Sequence, residues 1–465
     1  MALESLKNTV ALFFRDGSDG DDLPDVPEEP LSPREARLRR AAAILRWGAI
    51  ANGIVMTLVV IVGIVAATQS DRGLFERVHA ALLGRVAVNA DAALLAALLL
   101  GLANASVLLV LLVGTLAQEL WIIGGVWLLA GFNVLALVQW GYTPAIITMV
   151  PAVWCGLIAS RDFRGFRMNP VMLKELRGRM RGVRAAVVMT VYLGLMSGFM
   201  VLLYLISTTA NRVAGTAVTG DLGRILFVGV VGIELMLIIF IAPAFTAGAI
   251  TGERERKTYD LLQVTLLPQP SFVMGKLESA LSYIVLLLLA AIPLQSIAFL
   301  FGGVSETEVL LAFVMLAVTA IALGSLGMFF SSVAQRTLTA SVRSYTVALA
   351  VTFGLPLLLS VFLGYYSGAL TGSGTGIDDS PVLETILIYT GLILASLNPV
   401  ATSLFSQFML IEYQEIGFWT ATLSSDGSKI PLVAPWITFT IIYLSVSAIL
   451  IVLSVRRMRR SEGRE

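Results

Sequence analysis

Five consecutive charged residues, Glu253-Arg254-Glu255-Arg256-Lys257, interrupt a chain of 465 residues of which only 14% are Asp, Glu, Lys or Arg. Such a cluster can pair internally or meet a charged partner. The stretch that follows, "TYDLLQVTLLPQPSFVMGK", turns apolar and then breaks on Pro268 and Pro270. Groups suited to catalysis are scarce. Lys276 follows Gly275, but Pro270 stands where G-x-x-x-x-G-K-[ST] requires its first glycine and Leu277 where it requires a hydroxyl, so no phosphate-cradling loop is present. The single histidine, His79, falls in an expected loop away from the one cysteine, Cys155. That pattern gives no metal-ligand spacing, no intramolecular disulfide and no base for a nucleophilic serine. "GSLG" at 324–327 accordingly reads as helix-packing glycine, and Tyr259–Asp260 lacks the second aspartate motif of an aspartyl protease. No residue is assigned a catalytic or metal-binding role.

One ionisable group is expected near the middle of a span: Glu234, in "GVVGIELMLIIF". An ionised side chain in hydrocarbon is costly, so Glu234 should line a translocation path or lock two spans, or else sit protonated and hydrogen-bonded to a neighbouring helix. Asn104, Asn133 and Gln295 are expected to hydrogen-bond between helices.

The elements that must position these groups are membrane-spanning helices. The chain is 57% hydrophobic, more than a soluble domain can bury, and its apolar runs match the ~30 Å hydrocarbon core of a bilayer. The expected fold class is all-α and polytopic. About ten spans are read, at 47–67, 92–116, 120–139, 142–160, 185–207, 225–250, 277–301, 307–331, 344–366 and 433–455. Asn398–Pro399 splits a further apolar run, 383–411, into two pieces too short to cross alone, so a re-entrant or outer-surface hairpin is expected there.

Charge placement orients these spans. With the N-terminus in the cytoplasm, 26 of the 32 Lys and Arg residues fall on the inner side, as cytoplasmic loops require. An even number of spans then places the C-terminal "RRMRR" inside as well, in the cytoplasmic membrane. Residues 1–32 form an acidic N-terminus, with seven acidic residues and three prolines in 16–30, and are expected to be disordered. The first helix is expected to start at "SPRE", capped by Ser32. The basic segment 161–184 divides four spans in 33–160 from six in 185–465.

Two further helices are expected on the cytoplasmic side. Asn169 can cap a helix whose first residue is Pro170, with Met172, Leu173, Leu176 and Met180 on one face and Lys174, Glu175, Arg177, Arg179 and Arg181 on the rest. This amphipathic pattern fits a helix lying in the membrane interface, or an ordinary basic loop. In the opening stretch, Gly248 and Gly252 form a G-x-x-x-G exit from a span, residues 253–257 are expected in water, and Tyr259, Leu262 and Leu266 share one helical stripe. A short helix so built could dock onto a partner or rest on lipid.

"GERERKTYDLLQVTLLPQPSFVMGK" resembles the cytoplasmic signature of ABC-2 type transporter permeases. The matching residues are Glu253, Arg254, Glu255, Thr258, Leu261, Leu262, Pro268, Gly275 and Lys276, whereas Lys257 stands where the family commonly has glycine. "NPVMLKELRGRMR" is similar to the interfacial helix of the same family, and the likeness covers residues 165–460. The resemblance implies a type V exporter-like permease of six spans, paired as a homo- or heterodimer. It would contact a separate ATP-binding-cassette subunit through a coupling helix after the signature, Leu266 included, while the partner binds ATP and Mg2+. The chain itself would be no enzyme, bind no cofactor and engage the lipid bilayer rather than nucleic acid. Other functions compatible with the residues are an ion-coupled secondary transporter, an intramembrane enzyme and a non-transporting scaffold or sensor.

Overall fold

A computed structural model describes residues 33–69, 90–161, 169–181, 183–214, 219–259, 268–370, 381–412, 417–422 and 429–462. The acidic N-terminus, Ser32, His79, Leu261, Leu262 and Leu266 lie outside them. The protein is an all-α polytopic membrane protein, with nine helices among the described residues long and apolar enough to cross a bilayer. The helices α1 (Pro33–Gln69), α2 (Ala90–Ala117), α3 (Trp121–Leu135) and α4 (Ala145–Arg161) come first. A π-helical turn, Ala136–Trp140, extends α3. With 17 residues, α4 is the one expected span that is short: at ~1.5 Å per residue it reaches about 25 Å. The helix starts late because Gly141, at φ 69°, and the turn after it reverse the chain.

Then come α5 (Pro170–Met180), α6 (Val183–Ala214), α7 (Thr219–Thr246), the single turn α8 (Thr251–Glu255), α9 (Gln269–Leu300) and α10 (Glu306–Val333). The next span is α11 (Thr337–Leu349), a π-helical turn (Ala350–Gly354) and α12 (Leu355–Leu370) in succession. The apolar run around Asn398 forms α13 (Pro381–Ser396) and α14 (Pro399–Glu412), bent by 117° at the break. An antiparallel hairpin of β1 (Phe418–Thr422) and β2 (Lys429–Val433) precedes α15 (Pro435–Glu462). These strands are the departure from an all-helical expectation.

Burial ranks the spans. The membrane window of α10 is 56% buried, the highest share, and that of α6 is 17% buried, the lowest. Helix α10 is therefore the centre of the bundle, packed on α7, α9, α11 and α15, while α6 turns an apolar face outward. Small residues let α10 approach: a Cβ on Gly327 would stand 2.1 Å from Thr246 Oγ1, so only glycine fits there, in line with the packing role expected for "GSLG". The first four helices are not a detached unit. Helix α2 packs on α15 and α9, Ser106 and Ser445 hydroxyls lie 2.6 Å apart, and Val113 and Ala117 join one buried cluster with Ile250, Phe272, Leu277 and Ile451. Within that region the amides of Asn104 and Asn133 bond reciprocally at 2.9 and 3.1 Å, so each makes the interhelical hydrogen bond expected of it.

Candidate functional site

The charged stretch lies at one end of the bundle, here termed the basic end, together with the α2–α3 turn, α5 and the start of α9. Local chemistry starts α5: Asn169 Oδ1 accepts from Val171 N at 2.9 Å and Pro170 fills the first helical position. The Asn169 amide also donates to Glu119 Oε1 at 2.6 Å and to the Ser271 carbonyl at 2.5 Å. One buried side chain thus ties the α2–α3 turn, α5 and α9 together. This junction accounts for Gly275, where a Cβ would stand 2.6 Å from Asn169 Oδ1.

Lys276, next in sequence, is buried, and its ammonium donates to Glu175 Oε1 and Glu253 Oε1, each at 3.0 Å. It also lies 5.2 Å from the centroid of the Phe272 ring. The residues are 101 and 23 positions from their partners, yet the pairs join α5, α8 and α9. Burial without partners would cost a lysine several kcal/mol, so these carboxylates are a condition for its position.

Residues 253–257 are only in part a solvated patch. Glu255, Arg256 and Lys257 are exposed, but Glu253 and Arg254 are half-buried and paired. Arg254 donates to the Ala334 carbonyl at 2.8 Å and stacks on Tyr259. Glu253 accepts from Thr258 Oγ1 as well as from Lys276. Exposed Glu255 accepts from the backbone N of Thr337 at 2.7 Å, acting as the cap α11 otherwise lacks. Ser331 of α10 accepts from Ile250 N and Thr251 N at 2.9 and 3.1 Å. The expectation of solvation holds for Glu255, Arg256 and Lys257 and fails for Glu253 and Arg254, because α8 tucks against the ends of α10 and α11, whose carbonyl and amide groups need partners. Of the G-x-x-x-G pair, Gly248 approaches Thr337 and Gly252 faces open space. Lys257 takes φ 55°, a left-handed conformation glycine adopts most easily.

The α5 residues Met172, Leu173 and Leu176 are half-buried against α9, while Arg177 and Met180 are exposed. Arg179 reaches the carbonyl of Phe245 at 3.4 Å and covers its ring at 5.2 Å, meeting the negative end of α7. Pro268 is exposed as the residue preceding α9. Glu234 is fully buried away from this end, and one oxygen accepts from Gln295 Nε2 at 2.8 Å. That bond locks α7 to α9, and Gln295 is the interhelical partner expected.

Sequence reasoning passed over Glu119. This carboxyl is 2% exposed in the turn between α2 and α3. Burial first, and then the nearby Glu278 carboxyl, push its pKa up to about 7, against the lowering pull of the Asn169 amide. A polar residue in a very short turn between two apolar runs was the available signal. A raised pKa means that the folded chain holds a proton the unfolded chain releases. The contribution of Glu119 to stability should therefore fall as pH rises between about 4.5 and 7, and be flat outside that window. Glu119→Gln is expected to melt with the wild type at pH 5 and above it at pH 8, read as thermal aggregation midpoints in detergent. An equal difference at both pH values would refute the assignment.

No metal-capable cluster of His, Cys, Asp and Glu occurs among the described residues. No family model matches the chain, and no curated protein matches its sequence.

Proposed function

We propose that this chain is the membrane subunit of an ATP-driven exporter of the ABC-2 permease type, energised by a separate ATP-binding-cassette subunit. The observation that carries the reading is the convergence of the signature's two ends. Glu253, near its start, and Lys276, at its close, meet the interfacial helix at Glu175 through one buried ammonium. A force applied to the intervening segment would be transmitted to α5, α7 and α9 together. The left-handed φ of Lys257 also suits a position where the family commonly has glycine.

In this reading the N- and C-termini and the basic end face the cytoplasm across the cytoplasmic membrane. ATP and Mg2+ bind the partner, and exposed Glu255, Arg256 and Lys257 flank the docking segment. Leu261, Leu262 and Leu266 insert into the partner, Pro268 closes the segment, and Arg177 and Met180 of α5 face lipid headgroups and acyl chains. The outward apolar face of α6 meets lipid or a second permease. Glu234 holds α7 against α9, so its bond to Gln295 would shift if these helices part during transport.

The chain and its ATPase should co-purify, and ATPase activity should respond to the complex. Changing Leu261, Leu262 and Leu266 together to Asp is expected to abolish both while leaving the isolated chain folded. Full complex formation and coupling in that variant would sink the docking role. Transport sustained in ATP-depleted vesicles by an ion gradient would instead identify a secondary transporter.

A further inference from the structure

At the end of the bundle remote from Lys276, a cleft opens between α7, α10 and α14. Its mouth, about 480 Å3, is lined by Arg224, Ser305 and Glu308. A smaller limb, about 100 Å3, runs inward from Glu308 between Phe227, Val231, Leu311, Met315 and Val400, with Ser406 and Gln407 on its wall. Polar atoms in this cleft lack partners to an unusual degree. Twelve buried side-chain N or O atoms among the described residues have no hydrogen-bond partner, and four belong here: Arg224 Nε, Glu308 Oε2, Ser406 Oγ and Gln407 Nε2. Glu308 is 8% and Ser406 5% exposed. Each such atom costs about 1–3 kcal/mol unless something meets it, so their clustering in one cleft calls for a common explanation.

The local structure fixes these groups without satisfying them. Glu308 completes a capping box at the start of α10, where Oε1 accepts from Ser305 N at 3.2 Å and Oε2 is left over. Arg224 and Glu308 share the mouth yet do not pair with each other. The geometry points to a binding site for a single-chain zwitterionic amphiphile. Its anionic group meets the Arg224 guanidinium and its ammonium meets Glu308 Oε2. Ser406 and Gln407 bond its linker, and its chain enters the apolar limb. An anionic amphiphile would set like charge against Glu308, and a cationic one would do so against Arg224. At about 100 Å3 the limb is much smaller than the mouth, and a single chain is assigned to it. This inference does not rest on the exporter reading, since binding requires neither an ATPase nor transport.

The test uses the full chain in detergent, with binding followed by native mass spectrometry. Lysophosphatidylethanolamine serves as the zwitterion, with lysophosphatidylglycerol and an alkyltrimethylammonium of equal chain length as the anion and the cation. The zwitterion should bind at least tenfold more tightly than either. Arg224→Gln should remove that preference over the cation, and Glu308→Gln that over the anion. Glu308→Gln retains an oxygen for the Ser305 cap, and Arg224 is only half-buried, so neither change removes a contact that holds the fold. Two-chain phosphatidylethanolamine should compete at least tenfold less well. Equal binding of the three probes, an unchanged charge preference in both variants, or equal competition by the two-chain lipid would each overturn the assignment.

Discussion

Replacing Lys276 with methionine is expected to destabilise the protein by about 3 kcal/mol or more, the range for removing one member of a buried ion pair. The change keeps most of the side-chain volume, so the loss is chiefly electrostatic. It strands Glu175 and Glu253, which approach each other through the shared ammonium at 3.0 Å from each. Their side chains are 29% and 23% exposed, so water relieves part of the repulsion, which places the effect near the lower end of the range. Lys276→Met combined with Glu175→Gln and Glu253→Gln should recover much of the loss, because it removes the uncompensated charges along with their partner. Thermal melting of the solubilised chain, run as a mutant cycle, separates this from a packing defect. A single variant as stable as the wild type, or a triple variant no better than the single, would contradict an ion-pair role. Limited proteolysis supplies a second readout, since α5 should become cleavable once its tie to α8 and α9 is lost.

Why Lys276 was not foreseen as a structural centre is a matter of range. The Asn169–Pro170 start of α5 could be read from adjacent residues, because capping involves a side chain and a backbone amide two positions apart. Spans, too, were legible, since hydropathy over about 20 residues reports the environment of a whole helix. That Asn104, Asn133 and Gln295 bond between helices followed from the cost of polar groups in hydrocarbon, although sequence could not say which residue pairs with which. Glu175 and Lys276, in contrast, are 101 residues apart, and no local pattern encodes that separation. A lysine at the head of an apolar run did carry a signal: a charge so placed needs a counter-charge. The solvated reading of 253–257 erred in treating five charges as one patch. Two of the five, Arg254 and Glu255, supply hydrogen bonds that the ends of α10 and α11 cannot make for themselves. The β hairpin was signalled by alternating residues on either side of Asp426–Gly427, a turn-forming pair, but its brevity beside long apolar runs hid it.

Asn398→Ala should also destabilise strongly, by about 2–4 kcal/mol, because three hydrogen bonds depend on one fully buried amide. Its Nδ2 donates to the carbonyls of Val351 and Thr352, each at 2.7 Å, and its Oδ1 accepts from Ala401 N at 2.8 Å. The first two carbonyls belong to the π-helical turn Ala350–Gly354, where the change of hydrogen-bond step frees backbone groups that need other partners inside a membrane protein. The third bond starts α14 after the 117° bend. Asn398 therefore fixes the bent pair to the interrupted span, and the hydroxyl of Tyr443 reinforces the same corner by donating to the Leu397 carbonyl at 2.7 Å. Asn398→Asp discriminates between the two roles. Aspartate caps a helix as well as asparagine does, so it should restore stability if capping is what matters. If the π-helical carbonyls matter, aspartate should melt no higher than alanine, since it sets acceptor oxygens against two carbonyls. The contacts favour the second outcome. An aspartate variant that melts close to the wild type, and well above the alanine variant, would show that the bend needs only a cap. A melting temperature at or below that of alanine would make the amide the clasp between α13–α14 and the broken span, holding one wall of the cleft that contains Ser406 and Gln407.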